Sequence, residues 1–176
     1  GIIRADNFEY MFDMAKALAM QPPAQGDRIL MITNGGGLGV MTTDAIEALG
    51  LAIPPPSSDL KERLQERLPP YCALRNPIDV VGDGDSQRYD AVFEEAISSD
   101  EYDIFVVGML LQTPSLGMDI TNHIANYSRQ SGKPFVVISM GGGFTTKAGE
   151  IMELMGVPTY ATGEKVAIAA WSLSKY

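Results

Sequence analysis

Residues 28–41 read RILMITNGGGLGVM and contain the pattern that decides the fold. An apolar run from Arg28 to Thr33 ends at Asn34 and a row of glycines, and a helical segment from Val40 to Leu49 follows. A short and almost continuously apolar run is typical of a strand that is buried on both faces. Glycine then allows a tight turn into the helix. This unit predicts an α/β fold with a parallel sheet.

The same alternation of strand and helix continues along the chain. Strands are predicted at 51–53, 78–81, 104–111, 135–140 and 157–160, and helices at 59–68, 86–98, 117–129, 145–155 and 164–174. The segment 104–111 is the strongest strand because it is rich in Val and Ile. Right-handed crossovers place helices on both faces of a parallel sheet. The pattern therefore predicts a doubly wound, flavodoxin-like sheet.

A helical arm is predicted before this sheet. Asp6 is the expected N-cap, with Glu9 completing a capping box. One face carries apolar side chains at helical spacing, and we expect that face to pack on the main domain: Phe8, Met11, Phe12, Ala15 and Ala19. Residues 21–26 (QPPAQG) read as a linker. The predicted division is an arm and linker at 1–26 and a flavodoxin-like domain at 27–176.

Charge and composition exclude several classes of partner. The chain has 13 basic and 22 acidic residues, a net charge of −9, which argues against nucleic acid and against an anionic membrane surface. No wholly apolar run approaches the roughly 20 residues that span a bilayer. Cys72 is the only cysteine, so an internal disulfide is impossible. We expect a reducing, cytoplasmic location.

Three loops follow predicted strands and meet at the carboxyl edge of the sheet, where such folds bind ligands. They are residues 34–39 (NGGGLG), 112–117 (QTPSLG) and 141–146 (GGGFTT). Glycine-rich turns and helix N-termini present N–H groups to anions, so these loops predict an anion or carboxylate site. The competing interpretation is that the glycines serve tight turns and helix–strand packing. A helix end and a few N–H bonds support only a roughly millimolar site on this chain alone.

Other nucleotide and metal sites fit the sequence poorly. A dinucleotide fingerprint would need glycine at position 40 or 42, which are Val40 and Thr42, and no Gly-Lys-Ser/Thr of a P-loop is present. The carboxylates of Asp79, Asp83 and Asp85 are a possible magnesium trio, but turn and helix capping is the commoner role of such residues. No metal site is therefore predicted.

The sequence contains no recognisable pair of a nucleophile and a general base. Cys72 has no histidine near it in sequence and is expected to be a small core residue. His123, the only histidine, lies within a predicted helix and is expected to be a surface or capping side chain. Trp171 and Leu173 are expected to form the docking face of the last helix. No catalytic residue is predicted on this chain.

Three stretches in this order resemble one protein family: residues 29–41 (ILMITNGGGLGVM), 74–83 (LRNPIDVVGD) and 133–143 (KPFVVISMGGG). The chain resembles the NDP-forming acyl-CoA synthetases, the ADP-forming acetate-CoA ligase group of the succinyl-CoA synthetase superfamily. The similarity is to the flavodoxin-like ligase domain that follows the phosphohistidine loop. The Asn-Pro-x-Asp-x-x-Gly-Asp stretch is its most specific part.

The resemblance implies a supporting role in converting acyl-CoA, ADP and phosphate to acid, CoA and ATP. The residues implied to contact phosphate or substrate are Asn34, Gly35, Gly36, Gly37, Gln112, Thr113, Pro114 and Ser115. Gln112–Ser115 is implied to start a helix aimed at the phosphohistidine, although it lacks the glycine pair of succinyl-CoA synthetases. Structural loop roles are implied for Asn76, Pro77, Asp79, Gly82, Asp83, Gly141, Gly142 and Gly143.

The same resemblance implies partners outside this chain. The phosphohistidine motif Ser-His-Thr-Gly, the CoA-binding domain and the ATP-grasp domain are absent from the sequence, so the chain is expected to be a piece of an oligomeric enzyme. Mg-ADP or Mg-ATP and CoA would bind in the complete enzyme, and no cofactor is expected on this domain alone. Two alternatives stay open: a ligase-like domain of a fused protein acyltransferase, and a non-catalytic binding or assembly module, for example for a flavin phosphate.

Overall fold

A six-stranded, mostly parallel sheet forms the centre of the protein. The structure is a computed structural model that describes residues 2–176, so Gly1, the first residue of the predicted arm, lies outside the described residues. The strands are β1 (Ile29–Thr33), β2 (Ala73–Leu74), β3 (Ile78–Asp79), β4 (Ile104–Met109), β5 (Phe135–Ser139) and β6 (Thr159–Tyr160). Their spatial order is β2-β3-β1-β4-β5-β6, and only β2 is antiparallel to its neighbour. Without β2 the order matches the flavodoxin-like pattern, which confirms the predicted fold.

Seven helices cover the two faces of the sheet in the described part of the chain. They are α1 (Phe8–Met20), α2 (Gly36–Ala48), α3 (Ser58–Arg67), α4 (Ser86–Ser99), α5 (Ile120–Ser131), α6 (Gly143–Leu154) and α7 (Gly163–Lys175). One apolar cluster contains buried side chains of α3, α4, α5 and α6. The other contains buried side chains of α1, α2 and α7. The sheet is therefore the middle layer of three.

Strand side chains alternate between these two clusters. Leu30 and Ile32 of β1 face α3–α6, while Ile29 and Met31 face α2 and α7. All four are fully buried. Burying a side chain of this size stabilises the fold by about 1.5–3 kcal/mol. Because both faces are covered, the strands are continuously apolar, and this pattern allowed them to be predicted from the sequence.

Helix α1 packs with the face opposite to the predicted one. Its buried residues are Asp13, Met14 and Ala17. The predicted docking side chains Phe8 and Phe12 are 81% and 67% exposed. The predicted cap is also wrong, because Asn7 and not Asp6 accepts the N–H of Tyr10. Helical periodicity locates an apolar stripe, but the helix packs on α7 through small side chains such as Ala17 and through polar contacts.

The edge strand β6 is covered by a charge pair from two helices. The outward N–H of Thr159 donates to Glu153 Oε1 of α6 (3.3 Å), and its carbonyl oxygen accepts from Lys16 Nζ of α1 (2.6 Å). Lys16 and Glu153 also form an ion pair (2.8 Å). The Lys16 ammonium lies 4.2 Å from the ring centroid of Tyr160. These contacts satisfy backbone groups that an unprotected strand edge would expose.

Several predicted boundaries change in the structure. Residues 51–53 form no strand, only a single bridge between Arg28 and Ala52. The predicted strand at 78–81 is paired over two residues, and β2 was not predicted. Helix α5 begins at Ile120, three residues after the predicted start. Two-residue strands carry too little periodicity to be recognised.

Two predictions for the core are confirmed. Cys72 is buried, and burial raises the pKa of its thiol. Leu173 is fully buried, and Trp171 packs on the same apolar cluster. Within residues 2–176, no helix combines the length and the apolar character that crossing a membrane requires.

The side chain of Asn76 takes the place of a strand beside the first half of β1. Strand β3 pairs with β1 only at Ile32 and Thr33. Below that point Asn76 Oδ1 accepts the N–H of Met31 (3.0 Å), and Nδ2 donates to the carbonyl oxygens of Ile29 (2.6 Å) and Pro54 (3.0 Å). The structural role that the resemblance implied for Asn76 thus has a physical basis: it satisfies buried strand backbone.

We expect Asn76→Ala to destabilise the protein by about 2–4 kcal/mol, because the Met31 N–H and the Ile29 carbonyl group lose their partner. The Pro54 carbonyl oxygen keeps only the longer bond from the Tyr102 hydroxyl (3.4 Å). Urea unfolding followed by circular dichroism measures the change. Asn122→Ala, at an exposed position of α5, is the matched control and is expected to stay within about 0.5 kcal/mol of wild type. Equal stability of the two variants would contradict the role of Asn76.

Candidate functional site

The reversal of strand order creates a crevice between the carboxyl ends of β1 and β4. These strands are neighbours in the sheet, with Thr33 opposite Gly108. The chain leaves β1 towards α2 on one face and β4 towards α5 on the other. The loops that follow, starting at Asn34 and Leu110, therefore separate at this point. Ligands of open α/β sheets bind at such a position.

Asn34 joins the two loops across the crevice. Its Oδ1 accepts the N–H of Leu110 (2.9 Å), and its Nδ2 donates to the carbonyl oxygen of Leu110 (3.1 Å). The hydroxyl of Thr113 lies 3.5 Å from the same amide nitrogen. Asn34 is 2% exposed. This side chain therefore holds the loops in register, and its polar atoms are already engaged within the protein.

The glycines after Asn34 divide into packing positions and an open position. A Cβ at Gly35 would lie 2.3 Å from Leu110 Cδ1, and one at Gly36 would lie 2.8 Å from Asp79 Oδ2. At Gly37 a Cβ would meet nothing within 4 Å. The packing interpretation thus accounts for the first two glycines, while Gly37 faces open space.

The N-terminus of α2 has no side-chain cap. Its N-cap is Gly35, whereas α1, α3, α4 and α7 are capped by Asn7, Ser57, Asp85 and Thr162. Helix α6 begins in the same way, with Gly142 as an N-cap that offers no side chain. The first N–H groups of a helix need partners from outside it, and an anion is a suitable one.

Gln112 connects the β4 loop to the start of α6. Its Nε2 donates to the carbonyl oxygen of Met140 (3.0 Å) and lies 3.4 Å from the hydroxyl of Thr145. Gly141 has φ of 147°, and a Cβ there would lie 1.8 Å from Gln112 Nε2. Through Asn34 and Gln112, the β4 loop is bonded to the loops that precede α2 and α6. The structure thus brings the three predicted loops together.

The helix start predicted at Gln112–Ser115 is wrong. Helix α5 begins at Ile120, and the intervening residues form turns. Pro114 and Ser115 are exposed on this loop and make no helix N-terminus. A Pro-Ser pair is typical of turns as well as of helix starts, so the sequence alone did not separate the two structures.

The loop after β3 forms the third side of the crevice. Asp79 Oδ1 accepts the N–H of Val81 (2.8 Å), which has the left-handed φ of 64°. Its other oxygen lies against Gly36 at the start of α2, as described above. A Cβ at Gly82 would lie 4.0 Å from the Asn34 carbonyl oxygen. Asp79 therefore contributes a carboxylate at the carboxyl edge of the sheet.

Arg88 fixes this loop, and sequence reasoning missed it. Its guanidinium donates to Asp83 (2.6 Å), to the Val80 carbonyl oxygen (2.9 Å) and to the Tyr71 hydroxyl (3.1 Å). Hydrogen bonds from Arg88 and Tyr71 hold the pKa of Asp83 below its ordinary value. An arginine in the first turn of a helix opposes the helix dipole, and that unfavourable position was the available signal for a specific partner.

The remaining candidates lie in separate places. Asp85 caps α4, as the capping interpretation predicted, by accepting the N–H of Arg88 (3.1 Å). Among residues 2–176, no group of three or more His, Cys, Asp or Glu side chains is placed to hold a metal ion. His123 Nδ1 lies 2.8 Å from Asp90 Oδ1, so the histidine of α5 contacts a carboxylate of α4.

The fold and the crevice define a flavodoxin-like domain whose carboxyl edge is polar and rich in glycine. Residues 29–176 match the Ligase-CoA domain, and the chain belongs to that family. The residues that carried the resemblance lie within this match. The family expected from the sequence is therefore confirmed.

Curated relatives are longer CoA ligases. The chain is 33% identical, over 98% of its length, to subunit alpha of the ADP-forming acetate–CoA ligase II of Pyrococcus furiosus. It is 31% identical, over 97% of its length, to the ADP-forming 4-hydroxybutyrate–CoA ligase of Nitrosopumilus maritimus. The chain spans 38% of the first relative and 24% of the second.

Solved structures agree with the fold. The dinucleotide-forming acetyl-coenzyme A synthetase 1 of Ca. Korarchaeum cryptofilum superposes with a TM-score of 0.89 at 28% identity, covering 98% of this chain and 38% of that one. The same synthetase has been solved in complex with phosphate and ADP. A protein of Pyrococcus horikoshii superposes with a TM-score of 0.91 at 28% identity, covering 98% of this chain and 40% of that one.

We expect Gly141→Ala to displace Gln112 and to destabilise the protein by about 1–3 kcal/mol, because alanine is strained at this φ and meets the amide. Thermal unfolding and the NMR shift of the Gln112 side-chain amide report the two effects. Gly143→Ala, where a Cβ meets nothing within 4 Å, is the control and is expected to be neutral or slightly stabilising. An unmoved Gln112 resonance in Gly141→Ala would contradict the contact.

Proposed function

We propose that this chain is the Ligase-CoA domain of an ADP-forming acyl-CoA synthetase. The complete enzyme converts acyl-CoA, ADP and phosphate to acid, CoA and ATP through an acyl phosphate and a phosphohistidine. This domain supplies helix N-termini and loop groups to the phosphoryl-binding site. The relatives that support this proposal are named as ADP-forming CoA ligases.

The observation that carries the proposal is the pair of glycine-started helices at one crevice. Helices α2 and α6 lack side-chain caps, and the β4 loop ties their starting segments together through Asn34 and Gln112. Free N–H groups and the positive ends of two helix dipoles favour an anion between them. We infer that this anion is a phosphoryl group, because the proposed reaction supplies one and the arrangement suits it.

The proposed contacts follow from the described positions. The N–H groups at Gly36 and Gly37 would face the anion directly, and Thr113 and Gln112 border the crevice. Asn34 acts by positioning the two loops. Pro114 and Ser115 are exposed on the same loop and are proposed to contact substrate carried by a neighbouring domain.

The electrostatics of the chain explain why it would not act alone. Asp79 places a carboxylate beside Gly36, and the net charge is −9. Both repel a phosphoryl group, so neighbouring domains must supply cations and the phosphohistidine. In this proposal the Mg-nucleotide lies on an ATP-grasp domain and CoA on its own binding domain. The complete enzyme is cytoplasmic and oligomeric.

The proposed division of this chain follows the predicted one. Residues 27–176 form the flavodoxin-like ligase domain, and residues 1–26 form the arm and linker that join it to the rest of the enzyme. The family match at residues 29–176 supports this boundary.

We expect inorganic phosphate to shift the NMR signals of the Gly35–Gly37 amides at millimolar concentrations. Asp79→Asn is expected to lower the dissociation constant about fivefold, because removing a nearby negative charge is worth about 1 kcal/mol. Asp44→Asn is the control with the same change in net charge. Asp44 is exposed on α2, about 12 Å along the helix from Gly36, and its removal should have little effect. Shifts confined to other regions, or equal affinities of the two variants, would reject the site.

The activity is tested on the complete enzyme that contains this domain. With acyl-CoA, ADP, phosphate and Mg²⁺ it should form ATP, and the 176-residue chain alone should form none. ATP formation by the isolated chain at enzyme-like rates would refute the supporting role. Transfer of the acyl group to a protein by the complete enzyme would favour the acyltransferase alternative, and a yellow, flavin-loaded chain would favour a binding module.

A further inference from the structure

Helix α1 presents its apolar face to solvent. The side chains of Phe8 and Phe12 are 81% and 67% exposed, and Met11 is 41% exposed. Ala15 continues the same exposed stripe towards the C-terminal end of the helix. Two phenylalanines and a methionine on one stripe form a contiguous apolar patch of the kind that can pack against a neighbouring surface.

The opposite face already holds the helix on its own domain. Asp13 Oδ2 lies 3.7 Å from Lys165 Nζ of α7. The backbone carbonyl oxygen of Asp13 accepts a hydrogen bond from the Tyr160 hydroxyl (2.8 Å). Just after the helix, Gln21 Oε1 accepts the N–H of Phe135 (2.8 Å), and its Nε2 donates to the Gly156 carbonyl oxygen (2.6 Å). These specific contacts fix the rotation of α1. The apolar stripe therefore cannot turn inward without breaking them.

A second copy of this chain is a poor occupant for the stripe. Each copy has a net charge of −9, so two copies repel each other. The helix has 13 residues and is about 20 Å long, so its stripe covers a few hundred Å² at most, below the roughly 800 Å² per partner of a stable complex. A patch of this size suits a neighbour that is already held close by a covalent connection, which raises its effective concentration.

Relatives of this chain are longer proteins that also contain the segment corresponding to α1. The family match begins at residue 29, so α1 lies outside the Ligase-CoA domain itself. The alignment with the Pyrococcus furiosus subunit nevertheless covers 98% of this chain, which leaves too few residues to omit α1. That relative is a longer protein, of which this chain spans 38%. Helix α1 is thus shared with the longer ligases without being part of their Ligase-CoA domain.

We propose that the exposed face of α1, formed by Phe8, Met11, Phe12 and Ala15, is the docking surface for another domain of the same ligase. The occupant is an apolar surface on the part of the enzyme outside the Ligase-CoA domain. This inference rests on the proposed function, because it requires that the chain works within a longer ligase. It adds a named interface that holds the domain in place beside its neighbours.

Hydroxyl-radical footprinting with mass spectrometry tests the interface through side-chain exposure. Phe8, Met11 and Phe12 should be oxidised rapidly in the 176-residue chain. In the complete ligase their oxidation should be about fivefold slower, as expected for side chains that become buried. Leu154 of α6, which is 89% exposed, is the control on another element and should be oxidised at the same rate in both samples.

Rapid oxidation of the three side chains in both samples would overturn the inference. The inference would also be overturned if oxidation in the isolated chain were slow and became rapid on dilution, because a second copy would then cover the face. The double substitution Phe8→Gln, Phe12→Gln tests whether the two side chains instead stabilise this chain's own core. It should leave the melting temperature of the isolated chain unchanged and lower that of the complete ligase, and a loss of stability in the isolated chain would assign the face to its own core.

The readouts do not depend on catalysis. A complete protein that protects α1 but forms no ATP would refute the proposed function and leave the interface. An active ligase with an unprotected α1 would refute the interface alone.

Discussion

The paired hydrogen bonds between Asn34 and Leu110 are the interaction on which the crevice at the carboxyl edge of the sheet depends. Strands β1 and β4 pair up to Thr33 and Gly108, and their chains then leave for opposite faces. Asn34 extends the pairing by one step, with a side-chain amide in place of a peptide group. Because this amide is buried and fully engaged, the start of α2 and the β4 loop keep a fixed separation. An amide side chain is suited to this task because it both donates and accepts.

The crevice that results has opposing electrostatic elements. Two helix N-termini without side-chain caps favour an anion, while Asp79 and the acidic chain as a whole disfavour one. In the proposed function, a site with this balance would bind a phosphoryl group weakly when it stands alone. Within the proposed larger enzyme this balance would be useful, because a weakly held phosphoryl group can be passed on. The structure of this domain therefore fits a shared site better than an independent one.

The sheet could be predicted from the sequence because its strands are buried on both faces. Double burial makes β1, β4 and β5 continuously apolar, and this signal is local. The docking face of α1 could not be predicted, because periodicity does not reveal which neighbour the helix meets. Here small and polar side chains such as Ala17 and Asp13 face α7. Asn76 shows the same limit, since its three backbone partners lie in segments distant in sequence. In the candidate site, the glycine loops were found from composition, whereas the start of α5 and the role of Arg88 depended on tertiary contacts.

The contacts of Lys16 and Glu153 with Thr159 show that the folded unit is larger than the segment that matches the family. The family match begins after α1, yet Lys16 of α1 satisfies the outward carbonyl group of the last strand. A polypeptide trimmed to the matched residues would keep every strand and lose that cover. The open rim of β6 could then add a strand from a second molecule, the first step of edge-to-edge aggregation. For this domain the useful unit for expression and crystallisation therefore includes the helix that sequence comparison leaves out.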